Sequence, residues 1–398
     1  MSAAESDASL REEAFGPLLA ILASLAALGT LATNILLPSL PGIAASFAVP
    51  TAATGAMMSS FFATFALGQL FVGPLSDRYG RRPIVLGGLV VFVAGSILCA
   101  LATTLEASVV GRIVQAIGVC ASSVLSRAIA RDLFSGNELA RVLSFIMVAM
   151  AAAPGFSPLL GSGLDHAFGW RSTFAAVAAF GLLLGFAYWF VVGETHRSER
   201  IRLDLISILR TYEALLRDRR FIVPATSVSL VIGGLFAVFT VTPAILVDGL
   251  GFSPLGLSLF YAGTVFIVFG AGMYAPRLAE RIGLASVTHH GLVIASMGCV
   301  IMAILAFTGF RSFASYLLPM LVFLFGMGMA NPIGTALTLS SFGDRAGFAS
   351  ALLGFLQMTL AALAIVATTA LPIPAFSALA FVLACLTTLA LLIFFLRT

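Results

Sequence analysis

The chain is a succession of apolar runs, each about 20 residues long, separated by short polar turns. A run of that length is what a helix needs to cross a bilayer. Twelve segments qualify: 16–38, 52–73, 83–103, 107–130, 141–163, 172–193, 221–247, 254–275, 284–307, 313–339, 346–370 and 373–396. The fourth and tenth carry polar interruptions, so eleven spans is the alternative. Composition agrees with a membrane protein. Of the 398 residues, 60% are hydrophobic and 10% charged, against about 25% charged in soluble domains. Such a chain cannot clothe a water-facing surface. Its net charge of +4 is modest and gives no reason to expect a nucleic-acid partner.

The charges decide between twelve and eleven. All 21 basic residues are arginine. With twelve spans and both termini in the cytoplasm, cytoplasmic segments carry most of them, and the external side keeps only Arg171 and Arg311. That is the asymmetry of the positive-inside rule, and an odd number of spans would scramble it. The first 15 residues read as a solvated cytoplasmic tail. The long polar stretch 194–220 divides the chain into a six-span bundle over 16–193 and another over 221–398. Within it, Leu203, Ile206, Leu209 and Leu216 recur near helical spacing. An amphipathic helix at the cytoplasmic interface and a plain solvated linker both fit.

Several chemistries find no support. The four cysteines fall inside apolar runs without CxxC spacing. The histidines His166, His196, His289 and His290 lack metal-ligand spacing, so no metal is expected. There is no phosphate-binding loop of the kind that would let the chain use ATP. No nucleophile and base share a span, so the chain does not read as an enzyme.

Between the second and third runs lies Gly73-Pro74-Leu75-Ser76-Asp77-Arg78-Tyr79-Gly80-Arg81-Arg82. Its glycines permit positive φ and close helix approach. Its one acid, Asp77, among Arg78, Arg81 and Arg82 invites an ion pair or a helix-terminus contact. The decapeptide resembles the loop between helices 2 and 3 of the major facilitator superfamily. A worn echo, Glu280-Arg281-Ile282-Gly283, stands about half a chain later. The resemblance implies an all-α membrane protein of twelve helices in two pseudo-symmetric six-helix bundles, with the binding site between them. It also implies that Asp77 latches the cytoplasmic side by reaching the start of helix 11 near Gly343-Asp344.

Arg112 stands about five residues inside the fourth run, with Gln115 on the same helical face. A charge there costs about 2.5–3.5 kcal/mol unless it faces a cavity or partner; snorkelling to the external interface is the structural alternative. The run Gly111–Gly118 resembles the superfamily's helix-4 motif. Helix 5 holds Pro154, Gly155, Pro158 and Gly161, which allow a bend and close packing. This segment is similar to the antiporter motif of proton-driven drug exporters, with Ser157 and Ser162 in place of two glycines. Asn34-Ile35-Leu36-Leu37-Pro38-Ser39-Leu40-Pro41 resembles the bicyclomycin/chloramphenicol-resistance (Bcr/CflA) branch, as do Leu67-Gly68-Gln69, Arg131-Asp132-Leu133-Phe134 and Gly347-Phe348-Ala349-Ser350. That branch has an aspartate where this chain has Asn34. An amide cannot bind and release a proton as a carboxylate does. Asn34 and Thr30 form an uncharged polar patch.

Polar and aromatic positions suggest a substrate cavity lined by Thr30, Asn34, Gln115, Phe236, Phe239, Thr240, Tyr261, Asn331 and Gln357. For each phenylalanine, lipid contact or packing is the competing role. The resemblance implies an inner-membrane exporter of amphiphilic drugs or metabolites, working by proton antiport and alternating access. It would act as a monomer with a small-molecule substrate and a lipid bilayer as partners, and with no cofactor beyond the proton gradient. An uncoupled facilitator or an importer of a small metabolite is the alternative within transport. A non-transporting membrane sensor is the alternative outside it.

Overall fold

In the computed structural model the described residues are 3–134, 136–195, 205–310, 312–342 and 346–395. Among them the regular structure is all helical. The first half contains α1 (Ala3–Asn34), α2 (Leu40–Ser46), α3 (Gly55–Tyr79), α4 (Arg81–Leu101), α5 (Leu105–Leu133), α6 (Gly136–Phe168) and α7 (Arg171–Val191). A linker helix, α8 (Leu205–Arg217), follows. The second half contains α9 (Arg219–Pro243), α10 (Pro254–Ile282), α11 (Leu284–Phe307), α12 (Phe313–Leu339), α13 (Ala346–Ala370) and α14 (Ala375–Phe395).

Eleven helical segments among the described residues are long and apolar enough to cross a membrane. The remaining predicted span, 141–163, lies inside α6, whose 33 residues make it about 50 Å long. α6 stays helical through both Pro154 and Pro158. The N-terminal stretch is helical from Ala3 and continuous with the first span. α1 ends at Asn34, shortly before Pro38 and Pro41. Proline lacks the N–H that a continuing helix would bond and clashes with the preceding turn. A short 3-10 turn over Leu37–Ser39 and then α2 take the chain onward.

The Gly73–Arg82 segment is helix rather than loop. α3 runs to Tyr79, α4 starts at Arg81, and Gly80 alone joins them with φ +98° and ψ 156°. Gly283 joins α10 to α11 in the same way, with φ +86° and ψ 155°. That backbone region is essentially open to glycine alone. The echo read in the sequence is therefore a repeated corner.

Helix packing repeats with the same offset. In the first half α1 packs on α5, α6 and α7, α3 packs on α5, and α4 packs on α5 and α7. In the second half α9 packs on α12, α13 and α14, α10 packs on α12, and α11 packs on α12 and α14. Small residues allow the tightest of these approaches. A Cβ on Gly118 of α5 would strike the α4 backbone at Phe92, and one on Gly326 of α12 would strike the α11 backbone at Ala295.

Two seams join the halves, again as symmetry equivalents: α3 against α13, and α6 against α10. In the first, Gly354 accepts the side chain of Gln69 where a Cβ would otherwise stand. In the second, Ser258 Oγ donates to the Pro158 carbonyl at 3.1 Å, and Gly155 faces Val265. The rings of Phe62 and Phe236 meet between α3 and α9 with centroids 4.4 Å apart.

Candidate functional site

Arg112 is the largest fully buried side chain in the structure's described residues. It does not snorkel. Nε donates to the Met57 carbonyl of α3 at 3.4 Å and Nη1 to the Ala32 carbonyl of α1 at 3.2 Å. Nη1 also donates to Gln115 Oε1, and Nη2 has Met58 Sδ at 3.9 Å. The guanidinium lies over the Phe61 ring, 4.1 Å from its centroid. Gln115 extends the network: its Nε2 donates to Ser96 Oγ of α4 at 2.7 Å, and Ser96 donates to the Phe92 carbonyl at 2.8 Å. One cation thus joins α1, α3, α4 and α5. Among the described residues its hydrogen-bond acceptors are neutral, and it makes no ion pair. A buried guanidinium can be satisfied by carbonyl oxygens in this way, because its donors fork toward several acceptors at once.

Asn34 is buried two residues beyond Ala32, but it turns inward on its own helix. Its Nδ2 donates to the Thr30 carbonyl at 2.8 Å, and Thr33 Oγ1 lies at 3.5 Å. The half-buried Thr30 contributes that carbonyl. The structure brings Arg112 and Gln115 together and leaves Asn34 and Thr30 as a separate local pair.

The second cluster surrounds Gly80. Arg81 Nη1 pairs with Asp77 at 2.6 Å and also donates to Ser76 Oγ, while Nε pairs with Asp132 at the end of α5 at 3.1 Å. Thr195 Oγ1 donates to the same Asp132 oxygen at 3.2 Å. Glu194, just past α7, accepts the backbone N–H groups of Arg81 and Arg82 at 2.9 and 3.2 Å. A carboxylate there faces the positive end of α4. Arg82 donates to the Trp189 carbonyl at 2.7 Å and lies over its ring, and Arg78 lies over Tyr79. The cluster therefore ties α3, α4, α5 and α7 within one half. Gly73 departs from expectation: nothing stands within 4 Å of where its Cβ would be, so close helix approach is not its role here. The expected partner of Asp77, Gly343-Asp344, lies outside the described residues. Asp132 and Glu194 were absent from the sequence-derived site, although Asp132 sits in a branch-like segment. Glu194 is 113 residues from Arg81 and gives no local signal.

The family profile of the Major Facilitator Superfamily matches residues 22–365. The chain belongs to the major facilitator superfamily. It is 28% identical to multidrug resistance protein D of Escherichia coli over 85% of each chain. It is 30% identical to an uncharacterized transporter of the same superfamily, YdgK of Bacillus subtilis, also over 85% of each. A bicyclomycin resistance protein homolog of Haemophilus influenzae is 31% identical over 66% of each. A D-xylose–proton symporter shares the fold with a TM-score of 0.73, at 20% identity over 95% of this chain and 96% of the other. The superfamily consists of transporters, and this chain is a transporter rather than an enzyme.

Within that superfamily fold, helix 5 is α6. A Cβ on Gly161 would strike the Ile35 carbonyl just past the end of α1, so this glycine allows α1 and α6 to touch. Gly155 and Pro158 belong to the seam with α10. Ser157 and Ser162, which replace glycines of the pattern, are buried, and Ser157 Oγ donates back to the Ala153 carbonyl. The suggested cavity residues of the second half lie mostly in packing. Tyr261 is fully buried, donates to the Phe239 carbonyl at 2.7 Å and meets the Phe239 ring edge-on. Thr240 Oγ1 donates to the Phe236 carbonyl at 2.8 Å. Phe236 reaches the other half, at Phe62. Asn331 Oδ1 is buried without a partner among the described residues. Gln357 is half-buried on α13. A cleft of ≈ 430 Å³ opens at the Gly55 end of the α3/α13 seam, lined by residues including Ala53, Ala56, Ser59, Val366 and Thr369. None of the suggested cavity residues lines it.

Proposed function

We infer that this chain exports amphiphilic drugs or metabolites across the inner membrane by rocking its two bundles about the α3/α13 and α6/α10 seams. The observation that carries this reading is the repeated packing: two equivalent bundles meet at two equivalent seams. Those seams are the surfaces along which alternating access operates. The drug-resistance names of relatives at 28–31% identity support the substrate class. The arginine-rich end, with Gly80, Gly283 and α8, faces the cytoplasm in this reading, which puts both termini there. The chain acts as a monomer.

Exchange for protons is the coupling we propose, and Asn34 limits where it can occur. With an amide at that position, the proton needs another carrier: a carboxylate at a helix end or a cavity water near Arg112. The chain reconstituted in liposomes should move substrate faster when a pH gradient is imposed. Substrate flux that ignores the gradient would leave the uncoupled facilitator, which the inward-turned Asn34 amide favours.

A further inference from the structure

The linker helix α8 carries two adjacent apolar stripes, and the protein covers only one. Ile208, Tyr212 and Leu215 face inward, where Tyr212 and Leu215 are buried against Phe221, Ala225, Ala349 and Leu352. Leu209 and Leu216, seven residues apart and so on one face, are 64% and 44% exposed. These leucines do not belong to a membrane span. Beyond them on the helix surface stand Arg210, Glu213 and Arg217, of which the last two pair at 2.8 Å. Arg210, Arg219 and Arg220 are exposed and make no ion pair among the described residues. Over 205–220 four arginines stand against Glu213 and Asp218, a net charge of +2.

We propose that α8 is a binding element for anionic phospholipid. Leu209 and Leu216 insert at the boundary of headgroups and acyl chains, and Arg210, Arg219 and Arg220 meet lipid phosphates. The fold supplies the occupant: α9 begins at Arg219 with only Asp218 between it and α8, and α9 is long and apolar enough to be a membrane span. The proposal places the exposed stripe at the bilayer surface, next to the start of that span. The same helix touches both halves. Tyr212 Oη donates to the Leu70 carbonyl of α3 at 3.2 Å, and its ring meets Phe348 of α13 edge-on. Lipid held on one face of α8 steadies the α3/α13 seam on the other. The inference goes beyond the transport reading and does not depend on the substrate or on proton coupling.

Hydrogen exchange of the α8 amides tests it, with the full chain in nanodiscs of phosphatidylcholine alone or with phosphatidylglycerol added. Exchange should slow about tenfold with the anionic lipid. The triple variant R210Q/R219Q/R220Q should lose that slowing, whereas R277Q/R281Q, which removes exposed arginines at the end of α10, should keep it. L209S/L216S should lose it with the charges intact. Span amides exchanging as in the parent chain show that each variant is folded. Equal exchange in both lipid compositions would overturn the proposal. So would inorganic phosphate reproducing the slowing in phosphatidylcholine discs, since that marks a site for free anions.

Discussion

Replacing Arg112 by methionine keeps an unbranched side chain but removes donors to α1, α3 and α5 together. The Ala32 and Met57 carbonyls lose a partner and Gln115 loses its anchor. We expect Arg112→Met to fold and to lose transport in liposomes. Arg112→Lys should fail too, because one ammonium cannot serve the same acceptors as the fork. Gly80 and Gly283 form a matched pair at the same scale. Alanine at either meets the glycine-only backbone region, at about 1–3 kcal/mol. At Gly80 the new Cβ also strikes the Glu194 carboxylate, whereas at Gly283 nothing stands within 4 Å. Gly80→Ala should therefore lower the unfolding midpoint more than Gly283→Ala. Tyr212 gives a pH expectation. Burial pushes its phenol from 10.0 up to about 12, so docked α8 holds this proton more tightly than free α8. The contribution of Tyr212 to docking is thus fully present below the free value and is lost as pH rises through the docked one. Exchange in α8, corrected for intrinsic rate, should be flat from about pH 6 to about pH 9 and rise above about pH 10. At this scale the sequence located Arg112 and Gly80, because a charge in an apolar run and a glycine between charges are visible locally. It offered Gln115 beside Arg112 but could not locate the partners on other helices. Backbone carbonyls carry no residue signature, and Glu194 reaches Arg81 only after three further helices have folded.

Gly161 and Gly163 separate packing from propensity within one element. Alanine at Gly161 would collide with the Ile35 carbonyl and force α1 from α6, at about 1–3 kcal/mol. Alanine at Gly163 meets open space and should be neutral or stabilising by up to about 1 kcal/mol, through helix propensity. Thermal unfolding of the two variants should move in opposite directions or differ clearly in size. Spans were legible as elements because hydropathy fixes them. The corner at Gly80 was read as a loop, because charge and glycine look like a turn when the i→i−4 bonds of α3 cannot be seen. In α8 the apolar spacing was legible too. Which leucines would be covered was not, because that depends on where α13 lies.

For the whole molecule, the alternating access proposed above requires the α3/α13 seam to open and close. Gln69 touches Gly354 in the middle of that seam. A cysteine pair at these positions, in a background lacking the exposed Cys385, should stop transport when oxidised and restore it on reduction. Unimpaired transport by the oxidised protein would show that the seam does not move.

By itself the sequence determined the membrane class, the positions of eleven spans and the two-fold echo. These follow from local hydropathy, from arginine placement and from a glycine that repeats at one corner. Tertiary structure alone decided what each charge meets. It gave Arg112 a ring of neutral acceptors, turned Asn34 onto its own helix, gave Asp77 to Arg81, and left Leu209 and Leu216 of α8 bare. The Met57 and Ala32 carbonyls that Arg112 meets lie 55 and 80 residues away in the chain, and only the packed bundle brings them within hydrogen-bond reach.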